Sequence, residues 1–451
     1  MSDTHSISDS AVYRVAILVP GSLLVLLERN GTEHSLPRVR VSRWARSARE
    51  IQRAIWIRWM LSVVIIDYIF GSLENPLCIA ESLSPKPSTL IRAPLGRVGE
   101  RDLTKSERHI ILEINAGDMG ARGPFSRVGW HPEAFAWIEK EAKHADRFTG
   151  EIEQHNAGGT FALVRFPLCD GNSYWLKAVG EPNLHEYRIT GALAEVCPKY
   201  LPQVVAARSD WHAWVMRDGG SPLDPDARAA SFVLAVKTMA GLQITASRHA
   251  QELLVAGVAD HRAEKSAGQI ESLIHYLEKA MENQISTRVP RIDSRRLREI
   301  QGLLVDACAV MATLRIPDTV IHNDLNRGNI LIRNDQCVFI DWCETGIGCP
   351  FLTFEHLTSL IPVTFQRAEA LRGKLKCLYR RQWARQLSGL NVDRAFALTP
   401  PLAIASRLHG RGDWLKSERR EDPGIQAYAR TVARRLDRAV HTPEFLEALC
   451  R

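Results

Sequence analysis

Residues 316–342 read IPDTVIHNDLNRGNILIRNDQCVFIDW, and this stretch decides how the rest of the chain is interpreted. Short apolar segments alternate with polar ones, which predicts a strand, a polar loop and then a strand pair around a tight turn. His322 stands two residues before Asp324, Asn329 stands five residues after it, and Asp341 follows the strand pair. Each residue alone is common, but the combination in this order is specific. We therefore expect the four side chains to form one site.

A second patterned region lies upstream of this stretch. It predicts three antiparallel strands, which are Phe148–His155, Phe161–Cys169 and Ser173–Val179. The first turn carries Gly158 and Gly159, and glycine lets backbone amides approach an anion because it has no Cβ. The third strand carries Lys177, and the helix that follows carries Glu186 and Glu195. This order resembles the small lobe of a kinase, in which a helix glutamate orients the lysine, and Glu186 and Glu195 are both candidates for that partner.

Together the two regions resemble the lysine-bearing sheet and the H-x-D-x-x-x-x-N … I-D-W signature of the aminoglycoside phosphotransferase and choline kinase-like family. The resemblance covers about residues 148–451. It implies an α+β, bilobal protein-kinase-like fold, in which a small antiparallel-sheet lobe (126–220) precedes a larger helical lobe with the catalytic loop (221–451). A small α/β N-terminal domain (1–125) is expected in front of them.

The resemblance also implies a role for each polar residue of the decisive stretch. Asp324 would accept or orient the proton of a substrate hydroxyl, and His322 would brace the loop by hydrogen bonds. Asn329 and Asp341 would hold Mg²⁺, which neutralises charge on the transferred phosphate. The predicted catalytic residues are thus Asp324, His322 and Asn329, and the predicted metal ligands are Asn329 and Asp341.

A nucleotide site for ATP or GTP is implied in the same way. The residues predicted to bind the nucleotide are Gly158, Gly159, Lys177, Glu186 and Asp218. Lys177 would supply a fixed positive charge to the α- and β-phosphates, and the helix glutamate would orient it. The sequence Asp218-Gly219-Gly220 is expected to form the hinge between the lobes, where backbone groups contact the base.

The chain departs from related sequence patterns in two places, and the first of these bears on the class of substrate. Asn323 stands where many protein kinases have an arginine, and no activation-segment motif follows Asp341, which favours a small molecule over a protein. Many relatives read G-D-P followed by an aspartate, whereas this chain reads Gly348-Cys349-Pro350-Phe351-Leu352. The local salt bridge or substrate contact made by that aspartate is expected to be missing.

The N-terminal region has a pattern of its own. Its predicted elements are the strands Val12–Val19 and Ser22–Glu28, the helix Trp44–Met60, and the strands Val63–Phe70 and His109–Ile114. The order faintly resembles a Nudix fold, but that family needs a cluster of glutamates on its helix, and this helix offers only Glu50. We expect a separate unit of unknown role that is dispensable for phosphotransfer.

Charge and composition limit the partners. The chain of 451 residues carries a formal net charge of +7, and the segment from Ile361 to the end holds 18 Lys and Arg against 9 Asp and Glu. No nucleic-acid motif accompanies this charge, so solvated helix faces are the preferred interpretation. The apolar runs Val15–Leu27 and Met60–Phe70 are too short to span a membrane. With nine cysteines outside metal or disulfide patterns and no signal peptide, a cytoplasmic protein is expected.

The sequence therefore predicts a phosphotransferase that moves the γ-phosphate of ATP or GTP to a hydroxyl, or an amine, of a small molecule. The alternative is a pseudokinase or nucleotide-sensing module whose basic C-terminal region binds a partner. Intact Lys177, Asp324, Asn329 and Asp341 favour the enzyme. The basic excess after Ile361 predicts that the substrate is not a polycationic aminoglycoside, because each buried ammonium group needs a carboxylate partner.

Overall fold

The computed structural model describes residues 10–30, 33–42, 47–71, 75–83, 89–117, 122–143, 146–224, 227–362, 367–384, 386–387, 389–411 and 421–450. The chain forms two compact units. The first contains residues 1–187 and 204–218, and the second contains residues 188–203 and 219–451. This division does not coincide with the domain boundaries predicted after residues 125 and 220, and those boundaries stay predictions.

Over its described residues, the first unit contains two sheets and three complete α-helices. Its strands are β1 Ser10–Leu18, β2 Leu24–Asn30, β3 Glu33–Ser35, β4 Arg38–Ser42, β5 Val63–Ile69, β6 Leu77–Ser82, β7 Ile91–Pro94, β8 Glu153–Ala157, β9 Ala162–Pro167, β10 Ser173–Ala178, β11 Val204–Arg208 and β12 Ala213–Arg217. Its helices are α1 Ser47–Trp59, α2 Lys105–Ala116 and α3 Trp130–Glu141, and α4 His185–Val196 begins in this unit and continues into the second.

The N-terminal sheet is buried on both faces. Its strand β1 pairs antiparallel with β2 and β4 and parallel with β6. Val15 and Ile17 share a core with α1, whereas the alternate residues Ala16 and Leu18 share a core with α2. A continuous apolar run is typical of a strand that is covered on both sides. The predicted helix is observed as α1, and the first part of its predicted span, residues 44–46, lies outside the described residues.

The strand predicted for His109–Ile114 is wrong, because these residues lie in helix α2. A short apolar run does not by itself distinguish a strand from a helix. The flanking residues decide the matter here: Thr104 and Glu107 form a capping box, and Gly117 ends the helix in the left-handed conformation with φ of 76°. This terminal signal was present in the sequence and outweighs the β-branched residues of the run.

The second sheet has five antiparallel strands in the order β11-β12-β10-β9-β8. The strand–turn–strand–hairpin–strand pattern read from the sequence is therefore confirmed. Lys177 lies on the central strand β10, opposite Leu163 of β9 and Trp214 of β12. One face of the sheet packs on α3 through an apolar core that includes Phe166 and Leu176. Strand β8 forms one edge of the sheet.

The second unit is mainly helical. Its helices are α5 Ala229–Ala246, α6 Ala250–Val255, α7 Ala263–Glu282, α8 Ser294–Thr313, α9 Pro350–Thr358, α10 Ala368–Trp383, α11 Gly389–Arg411, α12 Pro423–Val440 and α13 Pro443–Cys450. Its strands are β13 Ser221–Pro222, β14 Ala259–His261, β15 Thr319–His322, β16 Ile330–Arg333, β17 Gln336–Phe339 and β18 Thr345–Gly348. The helices surround one extended apolar core, on which the short strands and the loop after β15 rest.

Over the described residues, one helical stretch, Ala229–Val255, is long and apolar enough to cross a membrane by length and composition alone. Phe232, Val236 and Met239 of this stretch are fully buried among the other helices. Its apolar character is therefore accounted for by its place in the core of the second unit.

Candidate active site

The loop after β15 is held by Asn329. The side-chain amide nitrogen of Asn329 donates to the backbone oxygen of Asp324 at 2.9 Å and to its Oδ2 at 3.2 Å. Asn326 supports the same loop, because its Oδ1 accepts from the backbone N–H of Gly328 at 2.8 Å. These contacts hold the Asp324 carboxylate in a half-buried position. They also use the amide nitrogen of Asn329, which leaves its side-chain oxygen as the atom available to a cation.

The hairpin of β16 and β17 brings Asp341 next to Asn329. The backbone N–H of Ile340 donates to the backbone oxygen of Asn329 at 3.1 Å. Asp341 itself has φ of 68°, in the left-handed region that residues other than glycine rarely occupy. Such a conformation costs on the order of 1–3 kcal/mol and concentrates at functional sites. The local geometry therefore agrees with a functional position for Asp341.

His322 braces the same segment. Its Nε2 lies 3.0 Å from the backbone oxygen of Ile340, and a carbonyl can only accept, so Nε2 carries the hydrogen. The ring also packs against Trp342, with ring centroids 4.8 Å apart. His322 is buried, and these contacts give it the bracing geometry expected from the sequence rather than that of a base.

Two residues that the sequence reasoning missed support the loop from helix α9. The hydroxyl of Thr353 accepts from the backbone N–H of His322 at 3.0 Å. His356 has Nδ1 3.3 Å from the backbone oxygen of His322 and Nε2 2.9 Å from that of Ala403. Burial lowers the pKa of His356 to about 4, so the ring is neutral and donates through one nitrogen only. Thr353 directly follows residues 348–352, where the aspartate of many relatives is missing. A contact with the catalytic loop is therefore still made next to this segment, by a hydroxyl.

Arg407 of helix α11 places a cation in the surroundings of Asp324. Burial lowers the pKa of the Arg407 guanidinium, while the negative charge of Asp324 acts to raise it. Its Nη2 donates to the hydroxyl of Ser359 at 3.0 Å. No feature of the motif indicated this residue, because α11 follows Asp324 by many residues in the sequence.

In the first unit, Lys177 pairs with Glu186. The Nζ atom lies 2.5 Å from Oε1 of Glu186, whose side chain is only 2% exposed. Lys177 also lies over the ring of Trp214, 5.6 Å from the centroid. Glu195, the other candidate partner, lies more than two turns further along α4 and is exposed. The open choice is therefore decided in favour of Glu186.

The two glycines of the first turn have different surroundings. A Cβ built at Gly158 would meet no described atom within 4 Å, so this position is open to a ligand. A Cβ at Gly159 would collide with the backbone of Arg122. Asp218 follows β12, and its backbone N–H donates to the oxygen of Ser173 at 3.1 Å. Of the two glycines, Gly158 faces open space that a ligand can occupy. Gly159 must be glycine because a side chain there would overlap the backbone of Arg122.

A cavity of about 220 Å³ lies in the second unit. Its wall combines apolar residues, among them Met311, Leu352 and Leu402, with polar ones, and its charged members are Arg262, Glu264 and Asp318. Arg262 is paired with Asp260 at 2.7 Å, and burial raises the pKa of Asp318. One wall reaches the catalytic loop, because the amide of Asn323 donates to Nδ1 of His261 at 3.3 Å. The cavity therefore offers a mixed apolar and polar surface with at most two carboxylates that lack an arginine partner.

Asn329 and Asp341 fit a magnesium ion. Within the described residues, no group of three or more His, Cys, Asp or Glu side chains is arranged to hold a metal. Mg²⁺ does not need such a group, since it prefers oxygen ligands, keeps several waters and is commonly held by one or two carboxylates with substrate phosphates. Asp341 supplies a carboxylate, and the contacts of Asn329 direct its oxygen away from Asp324.

Residues 185–354 match the model of the phosphotransferase enzyme family, APH. This segment contains the loop around Asp324, the strand pair and Asp341, so the resemblance predicted from the sequence is confirmed over these residues. The α+β class is confirmed as well, because an antiparallel sheet and a mainly helical unit are observed. No curated protein sequence matches the chain.

Among solved structures, the chain is 16% identical to a macrolide 2'-phosphotransferase from Brachybacterium faecium, with 65% of this chain and 97% of that chain covered and a TM-score of 0.44. It is 16% identical to a choline/ethanolamine kinase family protein from Mesorhizobium loti, over 71% and 98% of the two chains with a TM-score of 0.45. A choline kinase from Streptococcus pneumoniae is 14% identical over 71% and 99%, with a TM-score of 0.44. Similarities of this size do not define the reaction or the substrate of this chain.

Proposed function

We propose that this protein transfers the γ-phosphate of ATP or GTP to a hydroxyl group, or an amine, of a small molecule. The observation that carries the proposal is the arrangement of Asp324, Asn329 and Asp341. The side-chain amides of Asn329 and Asn326 both donate to the carboxylate of Asp324. The backbone N–H of Ile340, the residue before Asp341, donates to the backbone oxygen of Asn329. Positioning and charge stabilisation are what phosphoryl transfer mainly requires of a protein.

Asp324 is the group that receives or orients the proton of the acceptor hydroxyl. Its half-buried carboxylate is held by Asn329, so it stays in place without side-chain motion during the reaction. Asn329 and Asp341 would hold Mg²⁺, which when bound neutralises charge on the β- and γ-phosphates. His322, Thr353 and His356 support the loop through backbone contacts and do not touch the reacting atoms.

Lys177 is proposed to bind the α- and β-phosphates. Glu186 holds its ammonium group at 2.5 Å and is itself buried, so the positive charge has a fixed position. Gly158 is proposed to present backbone amides to the phosphates, and Asp218 to lie beside the base.

All nine cysteines are free, which supports a reducing, cytoplasmic location.

The acceptor is proposed to be a hydroxylated molecule that is neutral or carries few positive charges. The cavity near His261 combines apolar and polar surface, and at most two of its carboxylates lack an arginine partner. A polycationic aminoglycoside would bring several ammonium groups that find no partner, and a buried unpaired charge is strongly unfavourable. The same features leave room for a single amine beside Glu264 or Asp318.

The experiment that tests the function is a thermal-shift screen of the full chain with ATP and GTP, each with and without Mg²⁺, followed by a panel of hydroxylated compounds. We expect stabilisation by nucleotide that requires Mg²⁺, because ligands that bind only the folded state raise its melting temperature. Stabilisation without any turnover would instead support the pseudokinase alternative. The absence of any nucleotide effect would refute the proposal.

A further inference from the structure

The loop that carries Gly158 and Gly159 is packed against a segment that precedes the five-stranded sheet in the sequence. The backbone N–H of Phe125 donates to the oxygen of Gly159 at 3.0 Å. A Cβ at Gly123 would lie 2.5 Å from the oxygen of Gly159 and 2.6 Å from Cγ2 of Thr160. Both glycines are therefore needed for the close approach of two backbones. We call residues 122–126 the loop-holding segment.

The loop-holding segment is anchored to the N-terminal sheet. The hydroxyl of Ser126 donates to Oδ2 of Asp67 at 2.8 Å, and Nη1 of Arg122 lies 3.6 Å from the same oxygen. Ser126 is fully buried, and Phe125 packs edge-on against Trp130 and Trp211. Strand β5, which carries Asp67, is thus connected to the glycine loop through one short segment.

A second connection joins the N-terminal sheet to strand β8, which leads into the glycine loop. The side chain of Gln154 accepts from the N–H of Ile65 at 2.6 Å and donates to its carbonyl oxygen at 2.9 Å. Gln52 of α1 completes the contact by accepting from the backbone N–H of Gln154 at 2.9 Å. Gln154 is 1% exposed, so these bonds form out of water, where losing a partner is costly. Both ends of the loop-bearing strand are therefore supported by the N-terminal domain.

We propose that the loop-holding segment, anchored by Asp67, fixes the Gly158–Thr160 loop in the conformation that receives the nucleotide phosphates. The N-terminal domain is then a positioning element of the nucleotide site. This inference rests on the proposed function, and it opposes the expectation from the sequence that residues 1–125 are dispensable. A loop that is already ordered loses less conformational entropy on binding, so its support increases affinity without a new ligand contact.

The test compares two alanine variants of the full chain. Gly123 and Gly129 both have positive φ, 96° and 83°, so alanine strains the backbone at both. Only Gly123 approaches the glycine loop, since a Cβ at Gly129 meets no described atom within 4 Å. Gly123→Ala is expected to raise the KM for nucleotide roughly tenfold, with the KM for the acceptor unchanged, while Gly129→Ala stays within about twofold. Equal nucleotide KM values in the two variants would overturn the inference.

Ser126→Ala provides a second variant in case Gly123→Ala does not fold. It removes one hydrogen bond to Asp67 and adds no bulk, and a smaller rise in the nucleotide KM is expected. Hydrogen exchange of the amides at residues 158–161, measured without nucleotide, is expected to be faster in Gly123→Ala and Ser126→Ala than in Gly129→Ala. Unchanged exchange would refute loop support even if the chain is a kinase. If exchange is faster in Gly123→Ala and Ser126→Ala but the wild-type protein binds no nucleotide, loop support stands and the proposed function is refuted. The role of the loop in nucleotide binding is then refuted as well.

Discussion

The catalytic loop and the glycine loop are both short polar connections between strands, but they are stabilised in different ways. Asn329 holds Asp324, and His322 holds Ile340, so the catalytic loop is supported largely from within one continuous stretch of sequence. The glycine loop is held by Phe125 and, through Ser126, by Asp67 of the N-terminal sheet. A motif with local support can be recognised from sequence, whereas support from a distant part of the chain cannot.

Of the changes near the catalytic loop, removal of the Asp341 carboxylate is expected to have the largest effect. Asp341→Ala should abolish Mg²⁺-dependent nucleotide binding, because it removes the one carboxylate proposed to hold the metal. Calorimetric titration with ATP and GTP in Mg²⁺ measures this loss. Asp335→Ala is the matched control, since Asp335 lies exposed in the turn of the same hairpin and should bind nucleotide normally. Normal affinity in Asp341→Ala would remove the metal role.

Asp324→Asn should affect turnover and spare binding. The amide keeps the shape of the side chain but cannot take up a proton, so we expect turnover to fall by about a hundredfold or more. Nucleotide affinity should stay near that of the wild type, because Asp324 is not a proposed metal ligand. Steady-state kinetics and titration on the same preparation separate the two effects. Turnover within a few-fold of the wild type would move the catalytic role to another residue.

In the five-stranded sheet that carries the glycine loop, Glu186→Gln is expected to have an intermediate effect on activity. Without the buried carboxylate, Lys177 loses its fixed position, and kcat/KM for nucleotide should fall roughly tenfold, or about 1.4 kcal/mol. Glu195→Gln is the control on the same helix and should leave the kinetics unchanged, because Glu195 is exposed. A similar loss in both variants would mean that helix stability, and not the ion pair, determines the result.

The smallest effect on activity is expected for Thr353→Val, which keeps the shape of the side chain, removes its hydroxyl and acts on folding stability. The backbone N–H of buried His322 would lose its partner, which costs about 1–3 kcal/mol of folding stability. Thr358→Val is the control, since the Thr358 hydroxyl bonds only within helix α9, to the oxygens of Phe354 and Glu355. Denaturant unfolding measures both variants. Equal destabilisation would show that Thr353 has no special link to the catalytic loop.

Local patterns were sufficient to predict three strands of the five-stranded sheet, the position of Lys177 and the loop around Asp324. The partner of Lys177 stayed open, because Glu186 and Glu195 lie on one helix and only packing buries one of them. Helix α2 was predicted as a strand because the apolar run was weighed above the capping box at Thr104. Such errors arise where two local signals compete.

The supporting residues of the site could not be predicted for a different reason. Thr353 and His356 reach the catalytic loop from helix α9, and their side chains are ordinary for a buried helix face. Similarly, nothing in the sequence connects Asp67 to Gly159. These contacts depend on how distant elements pack, which a single sequence does not specify.

The most direct test of the central claim follows the γ-phosphate itself. Wild-type protein and Asp324→Asn are incubated with γ-labelled ATP or GTP, Mg²⁺ and two sets of acceptors. One set holds neutral, acidic and single-amine hydroxylated compounds, including amino alcohols and macrolides, and the other holds kanamycin- and gentamicin-type aminoglycosides. We predict that label reaches at least one compound of the first set in the wild type and stays at background with Asp324→Asn. Transfer to aminoglycosides alone would contradict the proposed acceptor class, and equal transfer by both proteins would contradict the assignment of Asp324.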